Sequence, residues 1–239
     1  MTAARPHPKK TGTHTEGQDM SIPPESDQLR PRSSPTVWVT WLAKLLADPS
    51  QCKLTAWTLT RYSVIKDDGY TGDWAVKHAA IIERVQARLV AKGRPSEVER
   101  EVLIVSRTGL PITGSIDVWA PATPAQSAVA IDAKTGKHSP AHRIQVNIYQ
   151  LMAAGMGLSP PGDPAAGLLC YPQRDVWIKP EDASSLLAER LAALMEVIAS
   201  DSPPAAAPSK GNCRFCSIKD ACSAAWQPGP IATHSTALF

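Results

Sequence analysis

The chain has 239 residues, 43% of them hydrophobic, which is enough for one sizeable core, or one core with a small appended module, and too little for two full domains. Its 25 Lys+Arg against 22 Asp+Glu leave a formal charge of +3, so total charge neither demands nor excludes a polyanionic partner. No run approaches the roughly 20 apolar residues that span a bilayer, and the first 35 residues lack the apolar centre of a secretion signal, so no membrane is expected and the expected compartment is the cytoplasm. Five cysteines, an odd number in a chain of this kind, argue against a disulfide framework and for thiols kept reduced or bound to metal.

Residues 1–33 are rich in Pro, Ser, Thr and charge and read as a disordered tail. Ser34-Pro35 is the signature of an N-cap followed by proline in the first turn, predicting a helix through Ala47. Cys52 lies just beyond it. A second helix is expected from Asp73 to Lys92, stopped by Gly93, with Trp74, His78, Ile81, Ile82, Val85 and Leu89 on one face. Three strand-like runs follow, Glu99 to Ser106, Ile112 to Trp119 and Ala128 to Lys134, and together they read as a meander. Then come a helix from Pro140 to Ala154, short strands at Gly167 to Tyr171 and Asp175 to Ile178, and a helix from Glu181 to Ala199. That order predicts an α/β (α+β) fold with a central mixed sheet flanked by helices. Residues 202–211 read as a proline-rich linker before a compact segment, Cys213 to Trp226, and residues 227–239 as a flexible tail.

Candidate chemistry is concentrated in the centre of the chain. Asp117 follows Gly114-Ser115-Ile116 in one strand, and Asp132 and Lys134 are two apart in another, hence on one face. Two carboxylates and a lysine so placed can bind a divalent cation through oxygen and keep a positive charge beside a reacting group. Strand-end acids and an ordinary salt bridge account for either aspartate alone. Gln145 and Tyr149 are one helical turn apart and can orient a lysine or a phosphate. His78, on an apolar face, has core packing as its rival role.

The joint order His78, Gly114-x-x-Asp117, Asp132-x-Lys134-Thr135-Gly136-Lys137, Gln145-x-x-x-Tyr149 resembles the RecB-like branch of the PD-(D/E)xK nucleases. The resemblance implies a restriction-endonuclease-like fold occupying 34–226. It implies that His78, Asp117 and Asp132 bind the catalytic Mg²⁺ or Mn²⁺, that Lys134 assists the attacking water, and that Gln145 and Tyr149 support the site.

Cys213-x-x-Cys216 and Cys222 supply three thiolates, one short of a closed tetrahedral site or a cubane cluster. Cys52 and Cys170 are the candidates for the fourth. Cys170, in Gly167-Leu168-Leu169-Cys170-Tyr171, reads as a buried strand residue, which leaves Cys52. One cysteine ahead of the core and three behind it, in segment 211–226, resembles the iron–sulfur nucleases of the RecB-like group, such as the AddB nuclease domain and the CRISPR-associated Cas-type exonucleases. That likeness implies a 4Fe-4S cluster joining the N- and C-terminal segments, with zinc the less favoured occupant.

The expected function is therefore a metal-dependent deoxyribonuclease, an exonuclease on single-stranded or unwound DNA ends, in recombination, repair, phage replication or CRISPR adaptation, with a protein of one of those pathways as partner. The alternative is a catalytically silent DNA-binding or zinc-bound adaptor module on the same fold. No Gly-Lys-Ser/Thr loop is present, so no helicase motor accompanies the site. Lys137, His138, His142, Arg143, Lys53 and Arg61 are of a type to contact phosphates, and a solvated surface explains them equally well. Trp38, Trp41, Trp57, Trp74 and Trp119 include possible stacking partners for bases, although tryptophans at helical spacing are more often core.

Overall fold

Residues 28–65 and 72–227 are described by the computed structural model. In chain order the elements are β1 (Leu29–Pro31), β2 (Val37–Trp38), α1 (Val39–Ala47), α2 (Lys53–Arg61), β3 (Tyr62–Val64), α3 (Gly72–Ala91), β4 (Glu97–Val105), β5 (Pro111–Ala120), β6 (Val129–Ala133), α4 (Pro140–Gly155), β7 (Ala166–Cys170), β8 (Asp175–Ile178), α5 (Ser185–Ala199) and α6 (Lys210–Arg214). Six strands form one mixed sheet in the order β2-β5-β6-β7-β8, with β4 on the other edge of β5. The β2–β5 and β6–β7 pairs are parallel and the rest antiparallel. The expected central mixed sheet flanked by helices is what the chain forms.

Alternation along the strands puts apolar side chains on both sheet faces. Val102, Ile112, Ile116 and Trp119 pack with α1, α4 and α5. Val118, Ala120, Val129, Ile131 and Ala133 pack under Ile81, Ile82 and Val85 of α3. Helix α4 forms the crossover between parallel β6 and β7; Ser139 caps it, its Oγ accepting from the Ala141 N–H at 3.3 Å, and Pro140 occupies the first turn.

Several sequence expectations are corrected. Residues 29–31, read as part of a disordered tail, instead form a strand, because Leu29–Pro31 pair with Tyr62–Val64; residues 1–27 and 228–239, also read as tails, lie outside the described residues. The first helix begins at Val39 rather than Ser34-Pro35, because Val37 and Trp38 are drawn into parallel pairing with Ile112 and Thr113, and a tertiary strand overrides a local cap signal. The helix expected from Glu181 is split. Pro180–Asp182 form one 3₁₀ turn, and α5 starts at Ser185, capped by Ser184, whose Oγ accepts from Leu187 N–H at 3.3 Å. Helix α2 has no counterpart among the predicted elements. Its sequence, Lys-Leu-Thr-Ala-Trp-Thr-Leu-Thr-Arg, buries Thr58 and Thr60 as well as Trp57, so no apolar stripe marks it.

Candidate active site

Strand β5 is shared by two partners on one edge. Its start pairs with β2 at Ile112 and Thr113, its end with β6 at Val118 to Ala120, and between these registers lies a fork. On the opposite edge the β4 register runs from Val98↔Val118 to Arg100↔Ile116 and leaves out Glu99, whose φ is +50°. At the same level the packing of β5 changes phase: Ile116 belongs to the α4 side and Val118 to the α3 side. Asp117 sits at that change.

Its carboxylate takes over a ladder hydrogen bond, because Ala133 N–H donates to Asp117 Oδ2 at 2.6 Å where regular pairing would offer a backbone carbonyl. The same oxygen accepts from His78 Nε2, on α3, at 3.3 Å. Asp132, next on β6, is 1% exposed and faces α4. Gln145 Nε2 donates to Asp132 Oδ1 at 3.2 Å and to Tyr149 Oη at 3.2 Å, while Lys134 Nζ donates to Gln145 Oε1 at 3.1 Å. Tyr149 Oη in turn donates to Ser115 C=O at 2.8 Å. A single chain of hydrogen bonds thus runs from lysine through amide and phenol to the backbone of β5. Gly114 makes it possible: a Cβ there would lie 2.7 Å from Tyr149 Cε1, so any side chain would push the phenol off the strand.

Lys134 Nζ stands 2.7 Å from Asp132 Oδ2 but off hydrogen-bond alignment, and that buried oxygen has no hydrogen-bond partner. Burial pushes the Asp132 carboxyl up to about 7; the Lys134 charge opposes the rise and Asp117 adds to it. Burial likewise raises the Tyr149 phenol above its ordinary range, so it remains a neutral donor. His142, with Nδ1 2.9 Å from Tyr171 Oη, is held neutral: burial, then Lys134, His138 and Lys44, push its pKa down to about 4.

The structure brings His78, Asp117, Asp132, Lys134, Gln145 and Tyr149 to one open cavity of about 580 Å³. Among the described residues, no group of three or more His, Cys, Asp or Glu side chains is gathered into a finished metal cage. The donor set nevertheless fits a hard divalent cation: two carboxylates, one fully buried with an oxygen lacking a hydrogen bond, beside an imidazole. The sequence carries no sign of the Ala133–Asp117 bond, the Ser115 carbonyl or Tyr171 beside His142, whereas Trp74 and His78, expected on one helical face, do meet.

Cys52 stands just ahead of α2; burial raises the Cys222 thiol, and the charges of Cys216, Cys52 and Cys213 add to the rise, although among the described residues the cysteines form no group placed to hold a metal ion. Ala207 N–H donates to Cys52 Sγ at 3.4 Å, Trp226 N–H to Cys213 Sγ at 3.3 Å, and Thr55 Oγ1 lies 3.3 Å from Cys216 Sγ. Cys170 is elsewhere. It is buried in β7, 3.7 Å from Arg88 Nη2, and burial pushes its thiol up to about 12.

Arg61 is corrected as a phosphate ligand. Its guanidinium donates to the carbonyls of Ile198, Ala199 and Ser200 and lies 4.2 Å from the Trp57 ring, so it caps the C-terminus of α5. Arg143 is paired with Asp182 at 3.3 Å.

The chain matches the family profile described as the PD-(D/E)XK nuclease superfamily over residues 37–223. The chain belongs to that superfamily. A PD-(D/E)XK chain is typically a metal-dependent nuclease, and nucleic acid is the substrate the membership implies. The solved structure "Crystal structure of SSO0001" is similar in fold: it covers 83% of this PD-(D/E)XK chain and 90% of its own, with a TM-score of 0.50 and 15% identity. No curated protein matches. Among the described residues no helix is long and apolar enough to cross a membrane.

Proposed function

We propose that this protein is a metal-dependent deoxyribonuclease that trims single-stranded or unwound DNA ends in the cytoplasm, in recombination, repair, phage replication or CRISPR adaptation. The observation that carries the reading is the convergence of Asp117, Asp132 and Lys134 at the β5–β6 fork, braced by Gln145 and Tyr149.

Asp117, Asp132 and His78 would hold Mg²⁺ or Mn²⁺, which when bound neutralises the scissile phosphate and lowers the pKa of a bound water. The Nε2 proton that His78 gives to Asp117 is the one a cation would replace. Lys134, held by Gln145, presents a fixed positive charge to the oxygens that gain charge during hydrolysis. Tyr149 fixes Gln145 by anchoring it to the Ser115 carbonyl. His142, neutral at ordinary pH, adds a hydrogen-bonding group without a competing charge.

Cys52, Cys213, Cys216 and Cys222 are proposed to hold an iron–sulfur cluster, with zinc the less favoured occupant. Backbone N–H groups aimed at Cys52 and Cys213 suit thiolates, and the role is structural, since phosphodiester hydrolysis needs no electron transfer.

Incubation of end-labelled single-stranded DNA with the protein and Mn²⁺ tests the reading. Stepwise shortening is expected, and His78→Ala should raise the Mn²⁺ concentration needed while leaving the melting temperature in EDTA almost unchanged. Intact DNA under all metal conditions sinks it.

A further inference from the structure

The cavity at the fork has an aromatic wall that the hydrolytic groups do not use. Trp74 lies in the first turns of α3, one turn before His78, and its indole stacks on the imidazole with ring centroids 4.9 Å apart and planes 16° from parallel. One face of the indole is thereby covered, yet the residue remains 60% exposed while lining the same cavity as Asp117, Asp132 and Lys134. Trp38, 41% exposed, lines that cavity too, as does the exposed Lys137 of the Thr135-Gly136-Lys137 turn. Trp57 and Trp119, by contrast, are buried in the ordinary way.

We propose that Trp74 is a stacking platform for an unpaired nucleobase of the substrate strand, seated beside the metal ligands. The proposal rests on the nuclease reading and names the form of nucleic acid the site takes. A base inside a duplex has both faces covered by its neighbours, so only an unpaired or flipped base can offer its face to an indole at the cavity wall. Lys137 and Lys134 in the same cavity supply positive charge for the phosphates on either side of such a base. Stacking on Trp74 sets the base one ring away from His78, which holds its sugar and phosphate within the cavity. The preference for single strands then comes from the site itself and not from a separate binding surface.

The rival role is a brace: Trp74 would hold the His78 ring in place and touch no substrate. Affinity for a fluorescein-labelled oligothymidylate, measured by anisotropy on the full chain in EDTA, separates the two, because no metal is bound and nothing is cut. Trp74→Ala should weaken binding about tenfold, the loss expected for one stacked base, while Trp74→Phe keeps most of the affinity and binding of blunt duplex is unchanged in both. In the wild type, replacing the thymines one at a time by an abasic spacer should show one position with the same loss. That spacer should cost Trp74→Ala nothing more. The abasic series needs only the wild-type protein, so it can overturn the proposal even if Trp74→Ala fails to fold, and Trp74→Phe, which keeps an aromatic face, then assigns a sensitive position to Trp74 by changing the size of its loss. Wild-type affinity in Trp74→Ala, or an abasic series with no sensitive position, overturns the stacking role while leaving the nuclease reading intact. A wild type that binds no DNA and cuts none overturns both.

Discussion

The fork of β5 and the proposed cysteine clasp are built by opposite means. At the fork every side chain comes from the sequence between His78 and Tyr149, and each is held by hydrogen bonds and a packed core: Asp117 by Ala133 N–H, Gln145 by Tyr149, Tyr149 by Ser115. The clasp joins Cys52 to residues beyond 210, is half-exposed at Cys52, Cys216 and Cys222, and has few direct ties, among them Asn212 Nδ2 donating to Ser50 C=O at 2.9 Å. A site made inside a core keeps its shape whatever ion occupies it. One made by bringing two chain ends together depends on what bridges them. Changes at the fork should therefore alter chemistry with the fold intact, and changes at the clasp should alter the fold first.

The largest effect expected is on cleavage. Asp117→Ala, Asp132→Ala and Lys134→Ala should each lower the rate by roughly a hundredfold or more, the usual cost of removing one group that stabilises the transition state. Far-ultraviolet circular dichroism should match the wild type. Near-normal digestion by Asp132→Ala would mean that the fork is a structural ion pair.

Next in size come the cysteines. Cys52→Ala, Cys213→Ala, Cys216→Ala and Cys222→Ala should each remove absorbance near roughly 400 nm and bound iron, and lower thermal stability, since a bridge closing so long a loop constrains the unfolded chain strongly. Cys170→Ala should keep colour and iron and lose only a little packing, because its sulfur is sealed in β7 beside Arg88. Iron retained by Cys52→Ala and lost by Cys170→Ala would reverse the assignment, and zinc found in place of iron would change the occupant but not the clasp.

The difference between the two regions also decides how much the sequence revealed. The sheet and helices were legible because α3 carries a period-3.6 face, the first half of β5 alternates, and β6 is a short continuous apolar run bounded by turn residues. That Asp132 shares a face with Lys134, and Gln145 with Tyr149, was legible from strand and helix geometry, while bringing His78 and Asp117 to them rested on the family resemblance. What could not be read was the phase change between Ile116 and Val118. It shows only in the packing, where Ile116 lies on the α4 side and Val118 on the α3 side although strict alternation would place both in one layer. Helix α2 was hidden for a related reason, as its threonines bond locally, Thr60 Oγ1 donating to Ala56 C=O at 2.8 Å, and bury without an apolar stripe. Ser34-Pro35 misled because pairing with β5 outweighs a cap.

A subtler expectation sharpens what it costs to keep the fork preorganised. With its carboxyl raised to about 7 by burial against an ordinary 3.8, Asp132 binds its proton more tightly folded than unfolded. Its contribution to stability is then fully present below about pH 4 and is lost as pH rises toward 7, with a total of order 1–4 kcal/mol. In EDTA, Asp132→Asn should melt above the wild type at pH 8 and near it at pH 4, and Mn²⁺ at pH 8 should raise the wild-type melting point but not the variant's. Parallel melting curves for the two proteins across pH would show that Lys134 fully offsets the buried charge.

The smallest effect is expected at Tyr149, and it separates bracing from chemistry. Its hydroxyl is engaged by Gln145 and the Ser115 carbonyl and connects to Lys134 only through Gln145, and burial keeps it protonated across the working pH range. Tyr149→Phe removes one donor to the Ser115 carbonyl and one acceptor for Gln145 while keeping the ring against Gly114, so a stability loss of about 1 kcal/mol is expected. Gln145 keeps its bonds to Asp132 and Lys134, so kcat should fall only severalfold, with KM for DNA unchanged and the pH profile in the same place. Gln145→Ala should cost more, because it releases Lys134 as well. A Tyr149→Phe rate as low as that of Lys134→Ala, or a pH profile displaced by the substitution, would mean that the phenol acts on the substrate directly and that the fork is less rigid than its hydrogen bonds suggest.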